Sequence, residues 1–303
     1  MNLNTIGVKV AKIFVAGGGG LTGKSIRDLS SKFNNFKYYF HNRELGDLAN
    51  FNVVRTLLKQ ESPDIIILNA ATLSGSHGLE AEKEKKSLNN FAIHENFSEM
   101  VSENQKILSF SSYHVFRTKP PFLKLSNTDM NEQTSYAAEK TAEIRSGWSN
   151  PNICFLLYPH LFGAYDNFEI NRAHFIANSI RRIRLAKEMD SKEIEFIGNR
   201  NRVLQFASGS QSANFALELC SQNEMLKDKV INADIGWVIE IGKVFVEICD
   251  LIGYKGNIRY EEIESPITNN DMFFSCNILS HVPMEFRLEL VKAIEYFEAV
   301  KRE

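Results

Sequence analysis

A run of four glycines directly after an apolar segment is the feature that most restricts the fold of this chain. The segment KIFVA predicts a buried strand, residues 17–20 are all glycine, and the predicted helix KSIRDLSSKF begins directly after Gly23. Glycines at positions 17, 20 and 23 permit a tight turn, the close approach of a pyrophosphate group, and close packing of a helix on a sheet. This order of strand, turn and helix predicts a dinucleotide site formed by Gly17, Gly20, Leu21 and Gly23.

Short apolar runs alternate with amphipathic stretches through the first half of the chain. The runs KYYF, DIIIL, KILSFSS and NICFLLY predict further strands, separated by residues with helical spacing. Residues 65–68 are continuously apolar, as expected of a strand that a parallel sheet buries on both faces. We predict an α/β fold, in which a Rossmann-type doubly wound parallel sheet carries a smaller C-terminal substrate-binding lobe.

The alternation weakens after Asp166, which suggests where the second lobe begins. A basic helix is predicted at HFIANSIRRIRLAKEM, a strand at EIEFIG, and helices at residues 211–220 and 238–252. We assign residues 1–164 to the dinucleotide-binding domain, with residues 203–250 returning to it. Residues 165–202 and 251–303 are assigned to the substrate-binding lobe.

Charge and composition exclude several classes of function. Lys and Arg number 35 against 37 Asp and Glu, so no basic surface for nucleic acid is expected. No apolar run approaches the roughly 20 residues of a membrane span, and the N-terminal sequence lacks the pattern of a signal peptide, so we expect a cytoplasmic protein without a membrane partner. The four cysteines are scattered and form no CxxC pair, so no metal site is expected.

The end of the second predicted strand bears on the choice of cofactor. NAD-specific sites usually place an acid here for the ribose 2′-hydroxyl, whereas this chain has His41, Asn42 and Arg43. Arg43 or His41 would favour the 2′-phosphate of NADPH over NADH, although all three residues would also suit an exposed polar loop. Asp47 and Leu48 are candidates for contact with the adenine amino group.

A Ser-Ser pair and a YxxxK motif supply candidate catalytic groups. Ser111 and Ser112 end the strand KILSFSS, at the edge where parallel sheets expose chemistry. Tyr136 and Lys140 are four residues apart in a predicted helix, so both lie on one face. A lysine ammonium lowers the pKa of a nearby phenol, and a serine hydroxyl can hydrogen-bond a reacting carbonyl oxygen. YxxxK alone is common, and only its combination with the glycine turn and the serine pair predicts a Ser112, Tyr136 and Lys140 catalytic set.

Several longer segments resemble one family within the extended short-chain dehydrogenase/reductases. They are AGGGGLTGKSIR, NAA at residues 69–71, FSSYHVF, SYAAEK and HLFGAYDNFEINRAHFIANSIRRI. Together they are similar to the GDP-L-fucose synthases, also called GDP-4-keto-6-deoxymannose epimerase/reductases. The resemblance implies NADPH-dependent reduction of the 4-keto group of a nucleotide-activated, GDP-linked deoxy sugar in surface-glycan synthesis, with or without epimerisation at C3 and C5.

The resemblance also implies roles for individual residues. The family's epimerase histidine corresponds to His174, and its epimerase cysteine corresponds to His114. Further cofactor contacts are expected at Ala70, Ala71, Asn90, Lys140 and His160. Substrate contacts are expected at Ser112, Tyr113, Asn167, His174, Arg181 and Arg202.

Departures from the family pattern keep the substrate and the full reaction open. His114 replaces a thiol, Leu204 stands where a basic residue is expected, and ITNNDMFF replaces a Pro-Arg-Lys stretch. An enzyme that reduces without epimerising is therefore expected. The alternatives are an NAD-dependent nucleotide-sugar epimerase or dehydratase and a non-catalytic cofactor-binding regulator. Helices at residues 80–100 and 132–148 would pair in a homodimer, as is common in the superfamily.

Overall fold

The computed structural model describes residues 10–70, 80–116, 125, 130, 134–170, 172–222, 227–262 and 277–301, with the backbone alone for residues 80–87 and 135. Its strands are β1 (Ala11–Ala16), β2 (Phe36–Phe40), β3 (Ile65–Leu68), β4 (Lys106–Ser112), β5 (Ile153–Tyr158), β6 (His160–Phe162), β7 (Glu193–Ile197), β8 (Val203–Ser208), β9 (Val230–Asn232), β10 (Trp237–Glu240) and β11 (Asn257–Glu261). Its α-helices are α1 (Leu21–Leu29), α2 (Phe51–Glu61), α3 (Glu80–Met100), α4 (Ser135–Ser146), α5 (Phe175–Glu188), α6 (Gly209–Gln222), α7 (Ile241–Ile252) and α8 (Met284–Val300).

A parallel sheet in the order β2-β1-β3-β4-β5-β9 forms the centre of the protein. Every residue of β3 and β5 is buried, because helices cover both faces of the sheet. The predicted α/β fold with a doubly wound parallel sheet is confirmed.

Alternating side chains of β1 join two separate cores. Ile13 and Val15 pack with α1 and α6 on one face, whereas Phe14 and Ala16 pack with α2, α3 and α4 on the other. The two-residue period of a strand is sufficient to divide the layers in this way.

The order of the strands determines where a ligand can bind. Strand β1 lies between β2 and β3, so the chain leaves β1 for one side of the sheet and then crosses to the other. The loops after β1 and β3 therefore diverge at the carboxyl edge, and a crevice at such a switch point is where open α/β sheets bind ligands. Strand β4 ends at the same edge because it runs parallel to β3.

The second lobe has its own core, built around aromatic rings. Strands β6, β8 and β10 form one small sheet, β7 and β11 form another, and α5, α7 and α8 pack against them. The rings of Phe162 and Phe206 lie 4.9 and 6.0 Å from that of Phe286, measured between centroids. In the described ranges, no helix has the length and apolarity needed to cross a membrane.

Two boundaries differ from the sequence predictions. The helix predicted for residues 238–252 begins at Ile241, because Trp237–Glu240 pairs antiparallel with β8 as strand β10. Within residues 203–250, α6 and β9 pack with the six-stranded sheet. Strands β8 and β10 and helix α7 contribute to the second core, so the returning segment is shorter than predicted.

Candidate active site

In the glycine turn after β1 and the start of α1, a side chain would clash with backbone atoms at Gly17, Gly18 and Gly23. A Cβ on Gly17, whose φ is +81°, would lie 2.3 Å from the carbonyl oxygen of Asn69 after β3. A Cβ on Gly23 would lie 2.3 Å from the carbonyl oxygen of Gly17, so this glycine lets α1 pack against the turn. Gly19 and Gly20 are exposed, and a Cβ on Gly19 would meet no atom within 4 Å.

This arrangement fits a dinucleotide. Gly20 is the N-cap residue of α1 and, having no side chain, supplies no cap hydrogen bond, and the first turn of the helix contains no acid. The N–H groups and the positive end of the helix dipole therefore face the open side of the turn, where a pyrophosphate would bind. Leu21 begins the helix, and Ala70 follows Asn69 beside the turn. The predicted contact Ala71 lies outside the described residues.

His41 has a different place from the one predicted. Its backbone N–H donates to the carbonyl oxygen of Val15, and its own carbonyl oxygen accepts from Gly18 N–H at 2.8 Å. Its ring is 3% exposed, lies 6.2 Å from the ring of Phe14, and has its pKa lowered by burial. The ring is thus part of the core, and the prediction that it faces a 2′-phosphate is not supported by this position.

The residues that directly follow His41 are exposed, from residue 42 to residue 45. Arg43 begins a short 3₁₀ turn, and the Asn42 side-chain amide donates to Glu44 Oε2 at 3.4 Å. Asp47 Oδ1 accepts from Ala49 N–H at 2.9 Å. Leu48, also a predicted contact, is buried, and its carbonyl oxygen accepts from the side chain of Asn96. Arg43 is therefore the cation that this turn exposes.

Ser112 ends β4 and begins a 3₁₀ turn, Tyr113–Val115. Its Oγ lies 2.9 Å from Nδ1 of His114 and accepts from the backbone N–H of His114 at 3.3 Å. Ser112 is buried, as are Ser111 and Tyr113. The strand end and the turn together fix the direction of the serine hydroxyl at the carboxyl edge of the sheet.

Helix α4 brings Tyr136 and Lys140 to this serine. The side chain of Thr134 caps the helix by accepting from Ala137 N–H at 3.1 Å, which sets where the helix begins. Ser112 lies close enough to the Tyr136 hydroxyl to lower its pKa, and the ring centroids of Tyr136 and His114 lie 5.8 Å apart. The predicted Ser112, Tyr136 and Lys140 set therefore comes together in space.

The environment of the Tyr136 hydroxyl acts on its pKa in two directions. Burial raises the pKa, whereas the Lys140 ammonium and the Ser112 hydrogen bond lower it, and the net result is a raised value. The side chain as a whole is 48% exposed. At neutral pH the group is a phenol, which is the form that can donate a proton.

Lys140 has partners that the sequence predictions missed. Its Nζ lies 2.8 Å from Oε1 and 2.9 Å from Oε2 of Glu143, and 3.6 Å from Oε1 of Glu139. Asn90, one of the predicted cofactor contacts, donates to Glu139 Oε1 at 3.0 Å. The signal was present in the sequence, because Glu143 follows Lys140 by three residues and so shares its helix face.

Three histidines from three elements gather beside Ser112. His114 follows β4, His160 begins β6, and His174 is the N-cap residue of α5. The rings of His114 and His160 are 5.2 Å apart, and burial lowers the pKa of both, to about 4 for His114. His174 and Arg202 lie close enough to contribute to both shifts. At neutral pH, His114 and His160 are therefore uncharged.

Two further predicted substrate contacts, Asn167 and Arg181, lie in the second lobe, and both hydrogen-bond other protein groups. Asn167 Oδ1 accepts from Glu169 N–H at 2.8 Å. Arg181 donates through Nη2 to Asn178 at 2.8 Å. Within the described ranges, no group of three His, Cys, Asp or Glu residues has a geometry that could hold a metal ion.

The fold and the site define an NAD(P)-dependent enzyme that combines a glycine-rich dinucleotide turn with a Ser-Tyr-Lys set. Residues 13–233 match the model of the NAD dependent epimerase/dehydratase family. The chain belongs to this family.

Similar proteins cover nearly the whole chain. GDP-L-colitose synthase of Yersinia pseudotuberculosis is 23% identical over 296 residues, which are 93% of this chain and 95% of that protein. GDP-L-fucose synthase 1 of Arabidopsis thaliana is 27% identical over 272 residues, with 84% and 81% covered. The resemblance to the GDP-L-fucose synthases is thereby confirmed.

Solved structures support the same fold. A GDP-6-OMe-4-keto-L-xylo-heptose reductase from C. jejuni has a TM-score of 0.75 at 17% identity, with 96% of this chain and 98% of that chain covered. A GDP-L-fucose synthetase from Naegleria fowleri bound to NADP has a TM-score of 0.76 at 18% identity, with 97% and 95% covered. At this level of identity the likeness concerns the fold.

Proposed function

We propose that the protein is an NADPH-dependent 4-ketoreductase of a nucleotide-activated deoxy sugar, with GDP as the favoured nucleotide. The observation that carries the proposal is that Ser112, Tyr136 and Lys140 lie close together at the carboxyl edge of β4. The similar proteins named above act on GDP-linked sugars according to their names, which supports the substrate class.

Each catalytic group has a role that follows from its surroundings. Ser112 donates a hydrogen bond to the substrate carbonyl oxygen, where negative charge grows during reduction. Tyr136, a phenol at neutral pH, donates the proton that turns this oxygen into a hydroxyl group. Lys140 stabilises the phenolate that remains. When bound, the nicotinamide cofactor supplies the hydride.

The residues that would hold the cofactor are those of the glycine turn, with Lys140 toward the nicotinamide ribose. Arg43 favours NADPH, because it is exposed on the turn after β2, where the adenosine ribose would bind. Glu44 lies on the same turn and accepts a hydrogen bond from Asn42. The preference for NADPH over NADH therefore depends on the balance between the positive charge of Arg43 and the negative charge of Glu44.

The histidines support reduction without epimerisation. A base that removes a proton beside a ketone works best with a pKa near the working pH. The pKa of His114 is lowered to about 4, and its Nδ1 lies at hydrogen-bond distance from Ser112 Oγ. His114, His160 and His174 are thus proposed as groups that hydrogen-bond and orient sugar hydroxyls, with Arg202 beside them.

The test is an assay of NADPH oxidation with 4-keto-6-deoxy sugars linked to GDP, dTDP or UDP. The proposal requires turnover with at least one of them and a reduced sugar as the product. NADPH binding without turnover of any keto sugar would favour the non-catalytic regulator. Interconversion of sugars without net oxidation of NADPH would favour an epimerase or dehydratase.

A further inference from the structure

Behind Tyr136 lies a cluster of buried charges that the proposed reaction does not by itself require. Lys140, Glu139 and Glu143 have side chains that are 12, 8 and 5% exposed. Both oxygens of Glu143 contact the ammonium, so the pair is bidentate. One cation thus faces two carboxylates in a region from which water is largely excluded.

Helix α3 closes the other side of this cluster. Asn90 donates to Glu139, and His94 is 2% exposed with no hydrogen-bond partner among the described residues for either ring nitrogen. Burial, with Lys140 and Lys229 nearby, lowers the pKa of His94 to about 4. One buried carboxylate oxygen of Glu95, on the same helix, also has no partner in the described part of the chain.

Tyr136 lies between this cluster and Ser112, with His114 beside both. The Lys140 ammonium stabilises a Tyr136 phenolate, whereas the Glu143 and Glu139 carboxylates destabilise it. Glu143 therefore weakens the effect of the lysine on the tyrosine. It also holds the ammonium at a fixed place, because two hydrogen bonds restrict a long, flexible side chain.

We propose that Glu143 is a positioning residue for Lys140, and that its carboxylate fixes the ammonium behind Tyr136 and limits the charge felt by the tyrosine hydroxyl. This inference rests on the proposed function, in which Tyr136 must stay protonated to act as an acid. A buried lysine without this carboxylate would favour the phenolate and deplete the acid as the pH rises. The second carboxylate, Glu139, is farther from Nζ and already accepts from Asn90, so its influence is smaller.

The test replaces Glu143 by Gln, which keeps the shape and removes the charge. The phenol titration of Tyr136 is read as the ultraviolet difference between each protein and the same protein carrying Tyr136→Phe. We expect the apparent pKa of Tyr136 to fall by about one unit or more in Glu143→Gln. The high-pH limb of the reduction rate should move to lower pH by the same amount.

Matched variants separate positioning from support of the fold. Glu139→Gln should move the titration in the same direction by less. Glu289→Gln breaks a Lys-Glu pair with the same spacing in α8, where Lys292 Nζ contacts Glu289 Oε1 at 2.6 Å, and should leave the titration unchanged. Glu143→Asp keeps the charge at a greater distance, so its titration should lie between those of the wild type and Glu143→Gln.

A Tyr136 titration that is the same in wild type, Glu143→Gln and Glu143→Asp overturns the inference, even if the variants are less stable. If Glu143→Gln does not fold, Glu143→Asp decides, because an unshifted titration in that variant contradicts positioning by the carboxylate. The titration needs no substrate, so it tests Glu143 even if no nucleotide sugar is reduced. Turnover together with an unshifted titration would leave the proposed function standing and reject only this inference.

Discussion

Nδ1 of His114 lies 2.9 Å from Oγ of Ser112, and the backbone N–H of the same histidine donates to that oxygen. The two residues stand where the resemblance implies separate steps, carbonyl reduction for the serine and epimerisation for the histidine. The contact couples the two proposed roles, because replacing the His114 side chain also removes a partner of the Ser112 hydroxyl. Of the two histidines implied for epimerisation, His174 is therefore the one whose replacement tests that step more directly.

Tyr136→Phe removes the proposed acid while keeping the ring. We expect the reduction rate to fall by a factor on the order of 10² or more, the range typical of a positioned general acid. The fold and NADPH affinity should stay close to those of the wild type, because the ring is half exposed at the start of α4. The measurements are turnover and an NADPH titration, and a loss of NADPH binding would instead show that the hydroxyl supports the structure.

The central sheet could be predicted because its signals are local. The apolar runs of β3 and β5, the glycine turn and the helical spacing of α2 each span a few residues. Strand β10 could not be read in the same way, since Trp237–Glu240 continues into the apolar face of α7 and becomes a strand only by pairing with β8. The division of residues 203–250 between two cores likewise depends on tertiary packing.

In the candidate site, too, residues placed by local sequence could be predicted, whereas residues placed by tertiary packing could not. Tyr136 and Lys140 follow from helical periodicity, and Glu143 was accessible to the same reasoning. The inward position of the His41 ring could not be predicted in this way, because the ring packs near Phe14 of a neighbouring strand. The histidine cluster joins the turn after β4, the start of β6 and the cap of α5, which are separated by dozens of residues along the chain.

Arg43→Ala tests the cofactor preference. The guanidinium is exposed at the end of β2, so its removal should weaken NADPH binding more than NADH binding and narrow the gap between them. Dissociation constants for both cofactors, measured by calorimetry in wild type and variant, give the comparison.

Glu44→Ala is the matched control, because it removes the opposite charge from the same turn. It should widen the preference for NADPH. A wild-type protein that binds NADH more tightly by an order of magnitude would reject the cofactor assignment.

Because of the buried His94, we expect the protein to become less stable at acidic pH. Its pKa is about 4 in the folded protein against an ordinary value of 6.5, so the unfolded chain binds the proton more readily. The stability that the neutral ring contributes is complete above pH 6.5 and is lost as the pH falls toward 4. At about pH 5 the loss should be on the order of 2 kcal/mol.

His94→Gln should reduce this dependence, since glutamine does not titrate. Unfolding by denaturant at about pH 7 and about pH 5 in both proteins measures the difference. His114 and His160 also have lowered pKa values, so part of the acid sensitivity should remain in the variant. Equal losses of stability in the two proteins would show that His94 is not the group responsible.

The protein is expected to be a homodimer formed through α3 and α4. The two helices pack together on one face of the sheet, and Leu88 of α3 is 70% exposed. Light scattering at micromolar concentration should give the mass of two chains, and Leu88→Glu should lower it toward one. A monomer mass for the wild-type protein would contradict this assembly.

His174→Asn and His114→Asn separate reduction from epimerisation. If the enzyme only reduces, the wild-type protein should transfer no solvent deuterium to C3 or C5 of the sugar, and mass spectrometry of the product reports this directly. His174→Asn should then raise KM with a smaller effect on kcat, as expected of a group that holds the substrate. His114→Asn should lower kcat as well, because Ser112 Oγ loses its contact with Nδ1. Deuterium at C3 or C5 in the wild-type product, abolished by His174→Asn, would instead establish epimerisation with His174 as one of its acid-base groups.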